Sequence, residues 1–216
     1  MRYAQHLSSY QEANVLGTKD LGRVLLDHLL DSLSCLLHEP ARGATSMVDI
    51  GSGGGLPGIP LKIVRPDLRL TLVEATGKKS RFLRKVAEDL ALRETTVINA
   101  RAEEVGRGNE HRGGYAVATA RALAPLPVLA EYCVPLVQEG GCAIAMKALP
   151  DDVEMAAGAE AAKILGAEIS GVLDVEFLPE LPPKRRTLVI MTKTGPTPEK
   201  YPRPPGTPKK RPLGVR

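Results

Sequence analysis

The sequence predicts an α/β protein built on a mostly parallel, seven-stranded sheet with helices on both faces and a helical cap at its N-terminus. Three observations carry that expectation. Short apolar and β-branched runs alternate with longer amphipathic stretches from residue 46 to residue 165, the pattern of strands joined by crossover helices. Two closing runs, 168–177 and 186–193, have only a turn between them, so one strand at the end should run antiparallel. The first strand empties into a glycine-rich loop, where α/β folds gather their ligands.

Residues 1–44 read as the cap, because Leu21, Val24, Leu25, His28, Leu29 and Leu36 recur at three- and four-residue spacing. Asp20 suits an N-cap there. The first strand spans 46–50 and its helix 59–64, with Pro57 and Pro60 fitted to a first turn. A second strand, 68–73, ends at Glu74. The helix over 79–91 then places Phe82, Leu83, Val86 and Leu90 on one side. Strands over 95–99, 115–119 and 141–146 follow, with helices over 126–136 and 151–165 between and after them. The pair 168–177 and 186–193, joined by a turn over 179–184, closes a domain spanning 45–194. Residues 195–216 are rich in proline and cations and read as an extended basic tail.

Composition narrows the class. Hydrophobic residues make up 43% of the chain and charged residues 25%, ordinary for a soluble protein. No apolar run approaches the ~18 residues of a membrane span, and no signal-peptide pattern opens the chain. A monomeric cytoplasmic protein is the expectation. Cys35, Cys133 and Cys142 are odd in number and far apart, which predicts buried reduced thiols. His6, His28, His38 and His111 show no ligand spacing, so no metal is expected. From Gly195 onward Lys200, Arg203, Lys209, Lys210, Arg211 and Arg216 stand against Glu199, a net of +5. The whole chain carries +4, so residues 1–194 sum to −1. A nearly neutral body with a basic end points to a phosphate-rich partner.

The chemistry concentrates after the first strand, in Asp49-Ile50-Gly51-Ser52-Gly53-Gly54-Gly55-Leu56-Pro57-Gly58. Such a loop lets backbone approach a ligand where a Cβ would collide. Gly53, Gly55 and Gly58 satisfy the G-x-G-x-x-G spacing, which alone permits a dinucleotide. Asp49, two residues before the first glycine, favours S-adenosyl-L-methionine instead, because dinucleotide folds usually keep that strand end apolar. Glu74 lies about twenty residues further on, where an acid can accept both ribose hydroxyls of an adenosine or stand as an exposed strand-end acid; Ala75 and Thr76 follow it. Ala102-Glu103 is either an adenine-facing loop or a solvated loop or helix start. Arg121, just past the fourth strand, is either a site residue or a salt-bridge partner. His28 and Asp31 share a helix face at i, i+3, as a surface pair or at the mouth of a cleft. Lys78, Lys79 and Arg81 place cations at a helix start, where the macrodipole disfavours them unless an anionic partner is near.

With these residues in view, the chain resembles the small-subunit ribosomal RNA methyltransferase G family, also called glucose-inhibited division protein B. The resemblance is carried by His28-Leu-Leu-Asp31-Ser32, by the run from Asp49 to Leu61, by Gly77-Lys78-Lys79 with Arg81-Phe82-Leu83, by Arg101-Ala102-Glu103-Glu104, by Arg121-Ala122 and by Met146-Lys147. The tail from Tyr201 to Leu213 adds to it, so nearly the whole chain is covered. Where members usually carry a longer N-terminal helix and Asn-Leu-Thr, this chain reads Asn14-Val15-Leu16. The resemblance implies a Rossmann-like class I methyltransferase that methylates N7 of a guanine in 16S ribosomal RNA near the decoding region. It implies S-adenosyl-L-methionine contacts at Gly51, Leu56, the residues around Glu74, Ala102-Glu103 and Arg121, to which the loop itself adds Gly53 and Gly55. Arg121 and Lys147, with His28 and Asp31, become candidates for positioning the reactants, and no catalytic acid or base is expected. Lys78, Lys79, Arg81, Lys200, Arg203, Lys209, Lys210 and Arg211 become candidates for binding 16S rRNA or the small ribosomal subunit, with Tyr201 available to stack on a base. Two other readings stay open on the residues alone: an NAD-dependent oxidoreductase, and a non-catalytic RNA-binding module.

Overall fold

The computed structural model describes residues 2–10, 14–18, 20–175 and 186–215. Its centre is a seven-stranded sheet in the order β3-β2-β1-β4-β5-β7-β6. The strands are β1 (Ser46–Ile50), β2 (Arg69–Val73), β3 (Thr95–Ile98), β4 (Tyr115–Arg121), β5 (Val137–Lys147), β6 (Ala167–Val175) and β7 (Arg186–Lys193). All neighbours from β3 to β5 pair in parallel, and β7 pairs antiparallel with both β5 and β6. The sheet is therefore mostly parallel, as expected, with the antiparallel strand inserted one place in from the edge. The side-chain pattern explains that order. β7 is almost wholly buried, whereas β6 alternates and can face solvent at the edge.

The cap consists of α1 (Arg2–Ser9), then a helical stretch from Leu21 to Leu37, then α4 (Glu39–Gly43). That stretch is not uniform. α2 (Leu21–Arg23) passes into a π-helical segment (Val24–Leu30), α3 (Asp31–Leu33) and a 3-10 turn (Ser34–Leu37). Asp20 caps α2 as expected, accepting the Arg23 N–H at 2.8 Å. The cap, α5 (Gly58–Val64) and α6 (Gly77–Asp89) pack on one face of the sheet around Met47, Leu70, Leu72, Phe82 and Ile144. The opposite face carries α7 (Ala102–Arg107), α8 (Leu126–Cys133), a 3-10 turn (Val134–Leu136) and α9 (Asp152–Ile164) around Val48, Ile50, Ala118, Leu129 and Val189.

Several expectations change. The 126–136 helix tightens after Cys133 into its 3-10 turn, and residues 102–107, read as loop or helix start, form α7. β5 starts four residues earlier than expected because Gly140 and Gly141 belong to an irregular register against β4 rather than to a break. An added Cβ at Gly141 would lie 2.5 Å from the Ala116 carbonyl oxygen, so only glycine fits there. The largest correction is the tail. It is not an extended arm: Tyr201, Pro202 and Pro208 are buried, and α10 (Thr207–Lys210) forms after Gly206, whose φ is +81°. Proline at its first turn lets α10 start, since no N–H is needed there. The expected turn 179–184, the strand residues 176–177 and Arg216 lie outside the described residues. Among the described residues no helix is long and apolar enough to cross a membrane. Cys35, Cys133 and Cys142 are buried free thiols.

Candidate active site

The chain leaves β1 for β2 and β3 on one side and returns to β4 on the other, so the crevice opens at the carboxyl ends of β1 and β4. The loop after β1 is shaped by backbone bonds: the N–H groups of Gly51 and Ser52 both donate to the Val73 carbonyl, at 2.9 and 3.1 Å. Gly51, Gly53 and Gly55 have φ of +67°, +56° and +92°, a region costly for other residues. Their surroundings separate them. A Cβ on Gly54 would touch Leu7 and Val15 of the cap, one on Gly55 would strike Ile59, and one on Gly58 would strike Leu72 and Asp49. At Gly51 it would meet only the end of the half-exposed Leu123 side chain. At Gly53 the nearest atom is the Gly51 carbonyl oxygen at 3.8 Å. Gly53 thus borders open space, while Gly54, Gly55 and Gly58 are needed for internal packing, and Leu56 is buried beneath the loop.

Two acids hold this loop. Asp49 is fully buried and accepts from the Gly58 N–H and the Thr119 hydroxyl, each at 3.1 Å. Burial pushes its carboxyl up to about 7, and those hydrogen bonds oppose the shift only in part. Glu74 accepts from the Gly53 N–H at 2.9 Å and from the Thr76 N–H at 2.8 Å. Its carbonyl takes the Ser80 hydroxyl and the Asn99 side-chain amide, each at 2.9 Å. Glu74 therefore joins the ends of β1, β2 and β3, and its carboxylate keeps lone pairs beyond those two bonds. Ala75 and Thr76 are exposed beside it, and Lys78 and Arg81 are exposed in the first turns of α6, with Lys79 half-buried between them.

Other expected site residues are committed elsewhere. Arg121 pairs with Asp31 at 3.0 Å and donates to His28 Nδ1 at 2.7 Å and to the Asp27 carbonyl at 3.1 Å. Asp31 is buried and also accepts from Arg186 Nε at 2.9 Å. His28, Asp31 and Arg121 do come together, but as a clamp fastening the cap to β4 and β7. The Arg121 guanidinium is thus bonded from three directions. The Lys147 ammonium donates to the Ala124 carbonyl at 3.0 Å and pairs with Glu154 at 2.9 Å. Glu154 also takes the Leu126 N–H at 2.6 Å, so the two fix the loop after β4. Glu103 is buried and accepts the Gly206 N–H at 2.8 Å, and Ala102 beside it is partly exposed. Arg203 leaves the nucleic-acid set, since it forks onto the buried Glu131. Tyr201 is buried and cannot stack on a base. Lys200, Lys209, Lys210 and Arg211 are exposed.

Sequence reasoning missed Arg186, Arg112, Glu131 and Asn99. Arg186 lies 155 residues from Asp31, so no local spacing links them. Glu131 did carry a signal: it is an acid within the apolar run from Leu126 to Leu136, where a buried charge demands a partner.

A family model described as rRNA small subunit methyltransferase G matches residues 1–178. A Ribosomal RNA small subunit methyltransferase G of Rubrobacter xylanophilus is 55% identical over 212 residues, covering 98% of this chain and 81% of that protein. One from Pelotomaculum thermopropionicum is 48% identical over 190 residues, covering 88% and 79%. Among solved structures, Precorrin-6y C5,15-methyltransferase from Geobacter metallireducens superposes with a TM-score of 0.53 at 15% identity, over 84% of this chain and 92% of that one. The antibiotic-resistance methyltransferase Kmr does so at 0.57 and 19%, over 78% and 92%. At such identities the structures speak for the fold alone, a Rossmann-like class I methyltransferase sheet.

Proposed function

The chain belongs to the rRNA small subunit methyltransferase G family, and from that premise we propose that it transfers the methyl group of S-adenosyl-L-methionine to N7 of a guanine in 16S ribosomal RNA. One observation carries the cofactor part: Gly53, at positive φ beside open space, has its N–H held by an acid that also ends β2. Backbone that opens on unfilled space where a side chain would stand, next to a carboxylate with spare lone pairs, fits an adenosine-bearing ligand. The loop from Gly51 to Gly55 would cradle it, Glu74 would take the ribose hydroxyls, and the backbone after β3 at Ala102 would border the adenine.

Bound there, the cofactor supplies an electrophilic methyl on a sulfonium. The nucleophile needs no activation, because guanine N7 already carries an in-plane lone pair. The protein's task is alignment, where effective molarity supplies much of the acceleration. Asp49 serves it indirectly by pinning Gly58 and Thr119, which fixes the loop relative to β4. The rRNA backbone would meet Lys78, Lys79 and Arg81 beside the cleft, and a splayed purine would present its N7 edge to the methyl. The exposed Lys200, Lys209, Lys210 and Arg211 extend the positive surface.

The decisive experiment incubates the purified small subunit with labelled S-adenosyl-L-methionine and the protein, then maps the modified base. Label at N7 of one guanine is expected. A Gly53→Val variant should give none, since its side chain would enter the ligand's path. Titration with S-adenosyl-L-methionine and with NAD separates this reading from a reductase, and binding without label on rRNA would leave only a binding module.

A further inference from the structure

The side chains of Arg112, Glu131 and Glu103 are all committed to the C-terminal segment. Arg112 donates from Nη2 to the Thr197 carbonyl (2.8 Å) and the Pro198 carbonyl (3.2 Å). From Nη1 it reaches the Tyr201 carbonyl (2.6 Å) and the Gly106 carbonyl (3.1 Å), within α7. Pro202 lies against Gly106, where an added Cβ would come within 2.9 Å of the proline ring. Glu131, fully buried on α8, accepts Arg203 Nη2 at 2.6 Å, Nε at 2.9 Å and the Arg203 backbone N–H at 2.7 Å. Glu103, in the first turn of α7, accepts the Gly206 N–H at 2.8 Å.

These bonds exceed what a solubilising tail needs. A carboxylate stays buried only where it is paired, and Glu131 finds its pair outside its own helix. α7 has six residues, too few to hold itself by its own hydrogen bonds. Residues 201–206 touch it at both ends, through Gly106 and through Glu103. Its start is the Ala102-Glu103 turn, the wall of the cleft that follows β3.

We propose that residues 201–206 are a brace that sets the position of Ala102-Glu103 and thereby the affinity for cofactor, with Arg203 and Glu131 as positioning residues. The inference rests on the cofactor reading above. Seating of the tail strengthens cofactor binding, and bound cofactor seats the tail by the same factor.

The test is calorimetric titration of S-adenosylhomocysteine into the full chain, wild type, Arg203→Ala and Arg203→Lys. The alanine variant should bind about tenfold more weakly. Lysine, which keeps the charge but loses the fork, should fall between. KM for the small subunit, its salt dependence and kcat at saturating cofactor should keep their wild-type values. A folded alanine variant with unchanged S-adenosylhomocysteine affinity would overturn the brace, and a rise confined to the KM for the subunit would make the segment an RNA element instead. If the alanine variant does not fold, the coupling is read in the unmutated chain by hydrogen exchange. S-adenosylhomocysteine should slow exchange at the Arg203 and Gly206 amides, and unchanged rates would again overturn the brace. Wild-type protein that fails to bind S-adenosylhomocysteine sinks the cofactor reading itself, whereas tight binding indifferent to Arg203 sinks only the brace.

Discussion

Asp49→Asn tests whether the acid behind the glycine loop is structural. The Asp49 carboxyl titrates near 3.8 in the unfolded chain and is pushed up to about 7 by burial in the fold. Between those values the unfolded chain has released a proton that the folded chain retains. Stability therefore falls as pH rises through the window, and the loss is complete above about 7. The separation of roughly three units corresponds to at most about 4 kcal/mol, of which about 2 to 3 kcal/mol is lost between roughly pH 5 and 8. Asparagine keeps the shape, can accept the Gly58 N–H and can donate to the Thr119 hydroxyl, yet cannot ionise. Urea unfolding of both proteins at the two pH values gives a difference of differences in which every other titrating group cancels. The variant should gain about 2 to 3 kcal/mol on wild type in going from the lower pH to the higher. A gap between the two proteins that stays constant would show that Asp49 ionises normally, and the burial argument would be wrong.

Glu74→Gln should weaken S-adenosylhomocysteine binding by roughly 1.5–3 kcal/mol, because it removes the charge from the acceptor proposed for the ribose; unchanged affinity would move the ribose contact elsewhere. Asp31→Ala leaves Arg121 and Arg186 facing each other without their acid, and should cost about 3 kcal/mol in chemical denaturation. An unaltered unfolding midpoint would mean that the clamp contributes nothing. Burial raises the Cys35, Cys133 and Cys142 thiols above their ordinary range, so a thiol reagent at mildly alkaline pH should find none in the native protein and all three in denaturant. Rapid native labelling would refute that placement.

The central strands were legible because β1, β4 and β7 are short apolar runs, and burial on both faces leaves little else for such a run to do. Ser46–Ile50 and Arg186–Lys193 keep their expected bounds, and α6 presents Phe82, Leu83 and Val86 to the core as its spacing demands. The glycine loop was legible as a loop, but the division of labour among its glycines was not. Gly54 depends on Leu7 and Val15, and no local pattern announces a contact 39 or more residues away. Charge was the least legible property. Arg121, Lys147 and Arg203 read as single cations until the fold places Asp31, Glu154 and Glu131 beside them. A cation in sequence is half of a pair, and only the fold supplies the other half.

The ties that remain have a common logic. A parallel sheet fixes the ends of its strands but leaves the outer sides of the connecting loops unsupported. Here both outer sides are covered by the ends of the chain. Tyr3 donates its hydroxyl to the Gly54 carbonyl at 2.6 Å, so the cap backs the glycine loop from one face of the sheet. Gly206 and Pro202 back α7 from the other. Asp31, Arg121 and Arg186 then lock the cap to β4 and β7. The glycine loop and α7, the two walls proposed to enclose the cofactor, are thus each backed by a terminal segment. A shortened chain could retain every residue of the glycine motif and Glu74, and still lose affinity, because the motif specifies which atoms face the ligand while the ends of the chain specify where those atoms stand.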